Sequence, residues 1–456
     1  MVKNCAGRVS MGDVLAGAAP DRQRLDDLPL TRLHIFILVV CAIGFSFDLA
    51  EIAFGGILSA IFSAPPNAID QGQLAWLLSS IYVGAIGGAP IMGWLADRHG
   101  RQRVLFWSLV IVTLTSIGAA LSPNTETLIL FRGLSGFALG AYPPLMIAFM
   151  TDVFPASRRG PLVLVAVAIG YLGPPGLIFF VRGVGTAMPL GLEAWRWAFL
   201  IAGTGAAICA ILFRFVPESP RWLLTRGRDA EAARALARFA ASPTVGRTAP
   251  AKVEESSAPA GASMSQPAFV RSLVFLVAAY FLMPWATVGF SALSGAVLVE
   301  KGINAQDSIL YVGISTFGPL IGTIIGGFVV DAVERRTALI VLAIAMGVLG
   351  IVFALVTDPI SLMATGLLFN LLVNLFTPVI VLYAAELFTT DRRAQGASWG
   401  WASNRFASAL VPLALLPLLH AQGPLAMFIV IAGTLLAFVV VVAIFGPRGE
   451  AGRAVA

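Results

Sequence analysis

Gly93-Trp94-Leu95-Ala96-Asp97-Arg98-His99-Gly100-Arg101-Gln102-Arg103 and Gly327-Phe328-Val329-Val330-Asp331-Ala332-Val333-Glu334-Arg335-Arg336 are two copies of one short pattern. Each opens on Gly, carries Asp four residues later and ends in Arg. Glu334 stands in the second copy where the first has Gly100. Each copy also sits between two long apolar runs. A loop repeated at the same place in each half is what a chain built of two parallel halves provides.

Working outward from these loops, the chain divides into apolar runs long enough to cross a bilayer, about 20 residues each. Twelve are expected: 33–62, 73–96, 103–122, 126–150, 160–181, 195–216, 269–298, 307–331, 337–357, 360–385, 394–418 and 424–446. They fall into two bundles of six, 33–216 and 269–446. A polar tail (1–32), a linker (217–268) and a short end (447–456) account for the rest. Of the 456 residues, 58% are hydrophobic and 12% charged. Soluble domains carry about 25% charge, so this composition excludes a water-facing surface of such size. The expected fold class is all-α integral membrane, with twelve transmembrane helices.

The net charge of +6 is explained by where the basic residues fall. Lys and Arg gather in the first tail, the even-numbered turns, the linker and the end. The opposite loops hold only Arg182, Arg196 and Lys301. Basic loops stay on the cytoplasmic side, which predicts both termini there and makes a nucleic-acid partner unnecessary. Residues 1–30 lack a signal-peptide core, and the run from Leu33 is long enough to remain as an anchor. The cysteines Cys5, Cys41 and Cys209 form no metal or redox spacing. His34, His99 and His420 do not cluster, so no metal is expected. Gly133, Gly136 and Gly140 suit close helix packing. No strand–loop–helix cradle indicates a cofactor, and no Ser/His/Asp or zinc set indicates catalysis.

Further motifs stand in order. Arg132-Gly133-Leu134-Ser135-Gly136-Phe137-Ala138-Leu139-Gly140 lies in the fourth run, and Phe154-Pro155-Ala156-Ser157-Arg158-Arg159-Gly160 follows it. Pro217-Glu218-Ser219-Pro220-Arg221-Trp222-Leu223 closes the first half, and Glu386-Leu387-Phe388-Thr389-Thr390-Asp391-Arg392-Arg393 echoes the second motif in the other half. Together with the repeated loop, they resemble the major facilitator superfamily over about residues 33–446, in its sugar porter and aromatic-acid or metabolite:proton symporter branch. The resemblance implies two six-helix bundles and secondary active transport by alternating access. It also implies a central cavity lined by spans one, four, seven and ten.

Ionisable residues deep in a span are costly and by default functional. Asp48 and Glu51, three apart on the first span, Arg132 on the fourth and Arg405 on the eleventh are such residues. Asp48, Glu51 and Arg132 are the expected proton-coupling set, with Asp48 facing Arg132. Burial favours a neutral carboxyl and a guanidinium the charged one, so alternating access can load and release a proton. Phe45-Ser46-Phe47-Asp48 resembles the Phe-Gly-Tyr-Asp stretch of sugar porters and the Asp-Gly-Tyr-Asp of aromatic-acid symporters. It departs from the latter at Phe45, and Glu51 is extra. Arg405 is expected to grip an anionic substrate, because a guanidinium binds carboxylate bidentately. Asn370, Asn374, Tyr280 and Trp285 are the expected remainder of the binding set. The alternative for each is interhelical packing, in which Asn commonly serves.

The repeated loops are expected to act as a cytoplasmic gate. Gly93, Asp97, Arg98, Gly100, Arg101, Arg103, Asp152, Arg158 and Arg159 form it in the first half, and Asp331, Arg335, Arg336 and Glu386 in the second. Asp97 is expected near the N-terminus of span eleven, and Arg101 against Asp152. The leading functional expectation is proton-coupled uptake of a small organic acid, aromatic or monocarboxylate, across a bacterial inner membrane by one chain acting alone. Its partners are an organic anion, protons and the lipid bilayer. Two alternatives stay open. One is a proton antiporter exporting drugs or metabolites, for which Gly160, Gly173 and Pro174 match part of a motif that Ile169 and Leu177 break. The other is a transporter-derived ligand sensor, which requires a signalling domain.

Overall fold

The computed structural model describes residues 29–245, 265–329, 333–389 and 392–447. Eleven of its helices are long and apolar enough to cross a membrane: Arg32–Ile61, Gln71–His99, Arg101–Ala120, Thr125–Val153, Arg159–Val184, Ala194–Phe213, Gln266–Glu300, Ala305–Phe328, Arg335–Leu355, Pro359–Glu386 and Gln395–Phe445. The last belongs to a 53-residue run, Arg393–Phe445, about 80 Å at 1.5 Å per residue and more than twice a bilayer core. Gly423, at φ 80°, breaks it just before Pro424, so it supplies the eleventh and twelfth spans. A Cβ at that φ is strained, and Gly carries none.

The even-numbered spans begin at the end of the molecule opposite the termini, and polar caps fix four of them there. Asp70, Asn124, Asn304 and Asp358 accept hydrogen bonds from Gly72, Thr127, Asp307 and Ser361 backbone N–H groups at 2.8–2.9 Å. Each such cap is worth about 1 kcal/mol. The fourth, fifth and eighth spans break at Gly140–Ala141, Tyr171–Leu172 and Thr316–Phe317, each just ahead of proline. Proline removes a helical N–H donor and crowds the preceding turn. The first of these breaks forms part of a wall described below.

Spans two and four touch backbone to backbone. A Cβ on Gly136 would lie 1.9 Å from the Ile81 carbonyl oxygen, and one on Gly88 2.0 Å from that of Phe137. Only glycine permits this approach, which sets the rotation of span four.

Between the sixth and seventh spans, Pro220–Thr225 and Asp229–Ala241 are helical. The second helix docks on the start of span one. Phe239 packs on the His34 ring at 4.8 Å, and Arg32 N–H donates to Pro243 O at 2.9 Å. His34 Nε2 meets the Val153 carbonyl at 3.2 Å. A carbonyl only accepts, so Nε2 carries the proton and Nδ1 accepts from Thr31.

The two six-span halves meet chiefly at the end away from the termini. Ala296 N–H donates to Ser59 Oγ at 3.1 Å, and a Cβ on Gly295 would fall 2.1 Å from Gly56 O. Ile81 and Tyr82 pack on Ala409, and Phe179 lies 6.0 Å from Phe317. Toward the termini, Leu164 lies against Gly327.

Candidate functional site

The four acidic and basic side chains expected deep in the spans, Asp48, Glu51, Arg132 and Arg405, sort differently from the sequence expectation. Arg132 pairs with Glu51, not Asp48. Its Nη1 lies 2.9 Å from Glu51 Oε2 and 2.8 Å from the Glu51 carbonyl oxygen. Ser116 Oγ donates to Glu51 Oε1 at 2.5 Å, and both members of the pair are 1% exposed. Arg132 is held through Nη1 alone, by the Glu51 carboxylate and the Glu51 carbonyl, while its Nε and Nη2 have no partner among the described residues. It joins span one to span four.

Asp48 is left over. It is 1% exposed, and neither carboxylate oxygen has a hydrogen-bond partner among the described residues. Buried polar groups almost always find partners, so an orphaned carboxylate calls for an explanation. It lines a cavity of about 20 Å³ with Ile52, Tyr82, Gly140, Pro143 and Arg405. That is room for roughly one water. Spans one, two, four and eleven build this wall. The break at Gly140 and the proline after it supply part of it.

Arg405 is the only C-terminal-half residue in this lining. It makes no hydrogen bond or ion pair among the described residues and lies over the Trp401 ring at 5.8 Å. The cavity therefore sets one carboxyl of the first half against one unengaged guanidinium of the second. Sequence reasoning missed Tyr82, which shares the cavity. Its phenol sits in a span otherwise rich in small residues, and that was the available signal. It also missed Ser116 as the second Glu51 partner.

The other expected binding residues lie off this cavity. Asn374 Oδ1 accepts from Thr323 at 3.0 Å. Asn370 turns back to Gly366 O. Tyr280 is buried edge-on against Trp401 at 5.4 Å. The Trp285 indole N–H is buried with no partner among the described residues.

The loop residues form a knot between the first half and the start of the linker. Arg101 pairs with Asp152, which also accepts from Ser219 Oγ at 3.0 Å. Glu218 Oε1 accepts from Gln102 N–H and Ser219 N–H, both at 3.0 Å, and burial pushes its carboxyl above the ordinary range. Gly100, at φ 109°, leaves the space that Glu218 fills. The Asp97 carboxylate is exposed and makes no hydrogen bond or ion pair among the described residues. Its carbonyl instead takes Trp222 Nε1 at 3.0 Å and Arg226. Gly93 has open space beside it, Arg98 lies over Trp94, and Arg103 is exposed. Arg158 is exposed, and Arg159 Nε donates to Phe154 O. In the second half Arg335 Nε stands 3.5 Å from Glu386 Oε1, and Arg336 donates to Ala443 O. Asp331 lies outside the described residues.

The family model "Sugar (and other) transporter" matches residues 34–450. The niacin transporter NiaP of Acinetobacter baylyi is 26% identical over 433 residues, covering 94% of this chain and 97% of the relative. The 4-hydroxybenzoate transporter PcaK of the same organism is 24% identical over 392 residues, 84% of each. Among solved structures, the inward-open xylose transporter XylE of Escherichia coli superposes with a TM-score of 0.69 at 19% identity. It covers 91% of this chain and 97% of that one. The all-helical fold of two six-span halves is therefore the major facilitator fold.

Proposed function

The chain belongs to the sugar (and other) transporter family of multi-pass membrane transporters, and from that premise we propose that it takes up a small organic acid together with protons. Asp48 is the proton-carrying group and Arg405 the anion-binding group. The observation that carries this reading is the orphaned Asp48 carboxylate sharing one small cavity with Arg405 of the opposite half, a guanidinium with no hydrogen bond or ion pair among the described residues. Alternating access moves those halves relative to each other, so the distance between acid and base changes once per cycle.

The substrate class follows from the same pair. A guanidinium fork suits a planar carboxylate, and Tyr82 offers a hydroxyl and a ring face beside it. The names of two relatives, the niacin and 4-hydroxybenzoate transporters, denote aromatic monocarboxylates. That supports an aromatic monocarboxylate over a sugar. The gathering of Lys and Arg in the even-numbered turns supports cytoplasmic termini, and with them an outward-facing closed end. Glu51 and Arg132 serve the framework.

The test is reconstitution in liposomes containing a pH-sensitive dye. Nicotinate, 4-hydroxybenzoate, benzoate and xylose are added singly to the wild type and to Asp48→Asn. Inward proton movement with an acid, lost in the variant, is expected. Proton movement with xylose alone, or export of the acids against an inward proton gradient, would overturn the reading.

A further inference from the structure

We propose that the carboxylate of the substrate and the carboxylate of Asp48 compete for the one guanidinium that lines their shared cavity, Arg405, so that one proton enters for each monocarboxylate and transport is electroneutral. The inference rests on the functional reading above and adds its stoichiometry and charge selectivity.

The charge inventory leads to it. Of the four acidic and basic side chains named above, Glu51 and Arg132 pair with each other at 2.9 Å, each 1% exposed, and Ser116 holds the remaining Glu51 oxygen. One acid and one base remain, on opposite halves and lining one cavity. No other described Lys or Arg lines it. An incoming carboxylate can pair only with Arg405. Two carboxylates then face one guanidinium in a site of low dielectric, where both cannot stay ionised. The proton comes from the aqueous side to which the cavity is open and binds an Asp48 oxygen. The substrate stays anionic on Arg405. On the other side the substrate leaves, Asp48 releases its proton to that solution, and Arg405 faces Asp48 again. One negative charge and one positive charge cross together, and no covalent bond changes. A neutral amide analogue offers no charge to displace Asp48 and carries no proton. A dicarboxylate brings a second charge that nothing in the cavity balances.

The experiment uses the full chain in proteoliposomes, with radiolabelled nicotinate and 4-hydroxybenzoate as probes. Valinomycin and potassium set the membrane potential at constant pH difference. The initial rate should change less than twofold between zero and an inside-negative potential, with one proton counted per acid. Asp48→Asn should lose proton-driven accumulation at least tenfold yet still exchange labelled for unlabelled acid, because its amide mimics the protonated carboxyl. That exchange also certifies a folded variant. Arg405→Gln should weaken binding of both acids at least tenfold. A several-fold rate increase at negative potential, or loss of exchange in a correctly folded Asp48→Asn, would sink the competition while leaving organic-acid uptake intact. If the wild type moves neither acid, the functional reading fails first, and this inference with it.

Discussion

Glu51 and Arg132 form a sealed ion pair, 2.9 Å apart and 1% exposed on each side, and the stability of the first half depends on keeping both or neither. Removing one partner of a buried pair costs about 3–5 kcal/mol, whereas replacing both by apolar groups of similar volume is often neutral. Arg132→Met should lower the melting temperature in detergent markedly, and Glu51→Leu with Arg132→Met should recover much of the loss. Unchanged melting in the single variant, with proton-driven uptake abolished, would instead place Glu51 in the coupling machinery beside Asp48.

Lys301 gives the protein a stability that depends on pH at the end away from the termini. Its Nζ donates to the Phe353 and Val356 carbonyls, both at 2.6 Å, and burial lowers its pKa from 10.5 to about 8. The unfolded chain keeps the proton up to the ordinary value, while the folded chain gives it up near 8. Between those limits the unfolded state binds more protons, so stability rises with pH. Below 8 both states are charged, and the burial penalty is fully present. Melting temperature should therefore climb from pH 8 toward pH 10, and Lys301→Met should show a shallower climb. Identical slopes in both proteins would remove Lys301 as the cause.

The spans were legible in the sequence because lipid imposes a length and a composition that few other structures share. The buried charges were legible because Asp48, Arg132 and Arg405 stand out in apolar runs. Their pairing was not. Asp48 and Glu51 lie on nearly one face, and which of them meets Arg132 depends on how span four is rotated. That rotation is set by glycine contacts such as Gly136 on Ile81, which no single helix displays. Asn374 misled for a related reason. A buried amide in a span signals a ligand and a helix contact equally well, and here Thr323 takes it. Tyr82 was passed over because a tyrosine in a span is ordinary until an Asp and an Arg are seen beside it.

Asp152 ties the loop at Gly100–Arg101 to the start of the linker, through Arg101 on one side and Ser219, beside the Glu218 that packs on Gly100, on the other. Its contact with Arg101 is charge-assisted, worth about 1.5–3 kcal/mol. Asp152→Asn should loosen the knot, and backbone amide exchange at Gln102 and Ser219, which now donate to Glu218, should quicken about tenfold or more. Mass-spectrometric hydrogen exchange measures this directly. Unaltered protection would mean that Glu218 alone holds the loop.

Gly295 controls the opposite end. A Cβ there would press within 2.1 Å of Gly56 O and 2.8 Å of Ser59 Oγ, the hydroxyl that receives Ala296 N–H across the two halves. A valine cannot be accommodated while spans one and seven stay in contact, and overpacking of this kind costs about 1–3 kcal/mol. The cost falls on the state closed at this end, because the contact is broken when the halves part. Gly295→Val should therefore shift the population toward the state open there, roughly 5- to 150-fold by the same range. Spin labels placed at Ala68→Cys in the first half and Ala305→Cys in the second should report a longer mean distance in the valine background. Uptake should slow as closure becomes the harder step. An unchanged distance with slowed uptake would mean that the helices repack locally around the valine, and that the first–seventh contact does not hold the closed state.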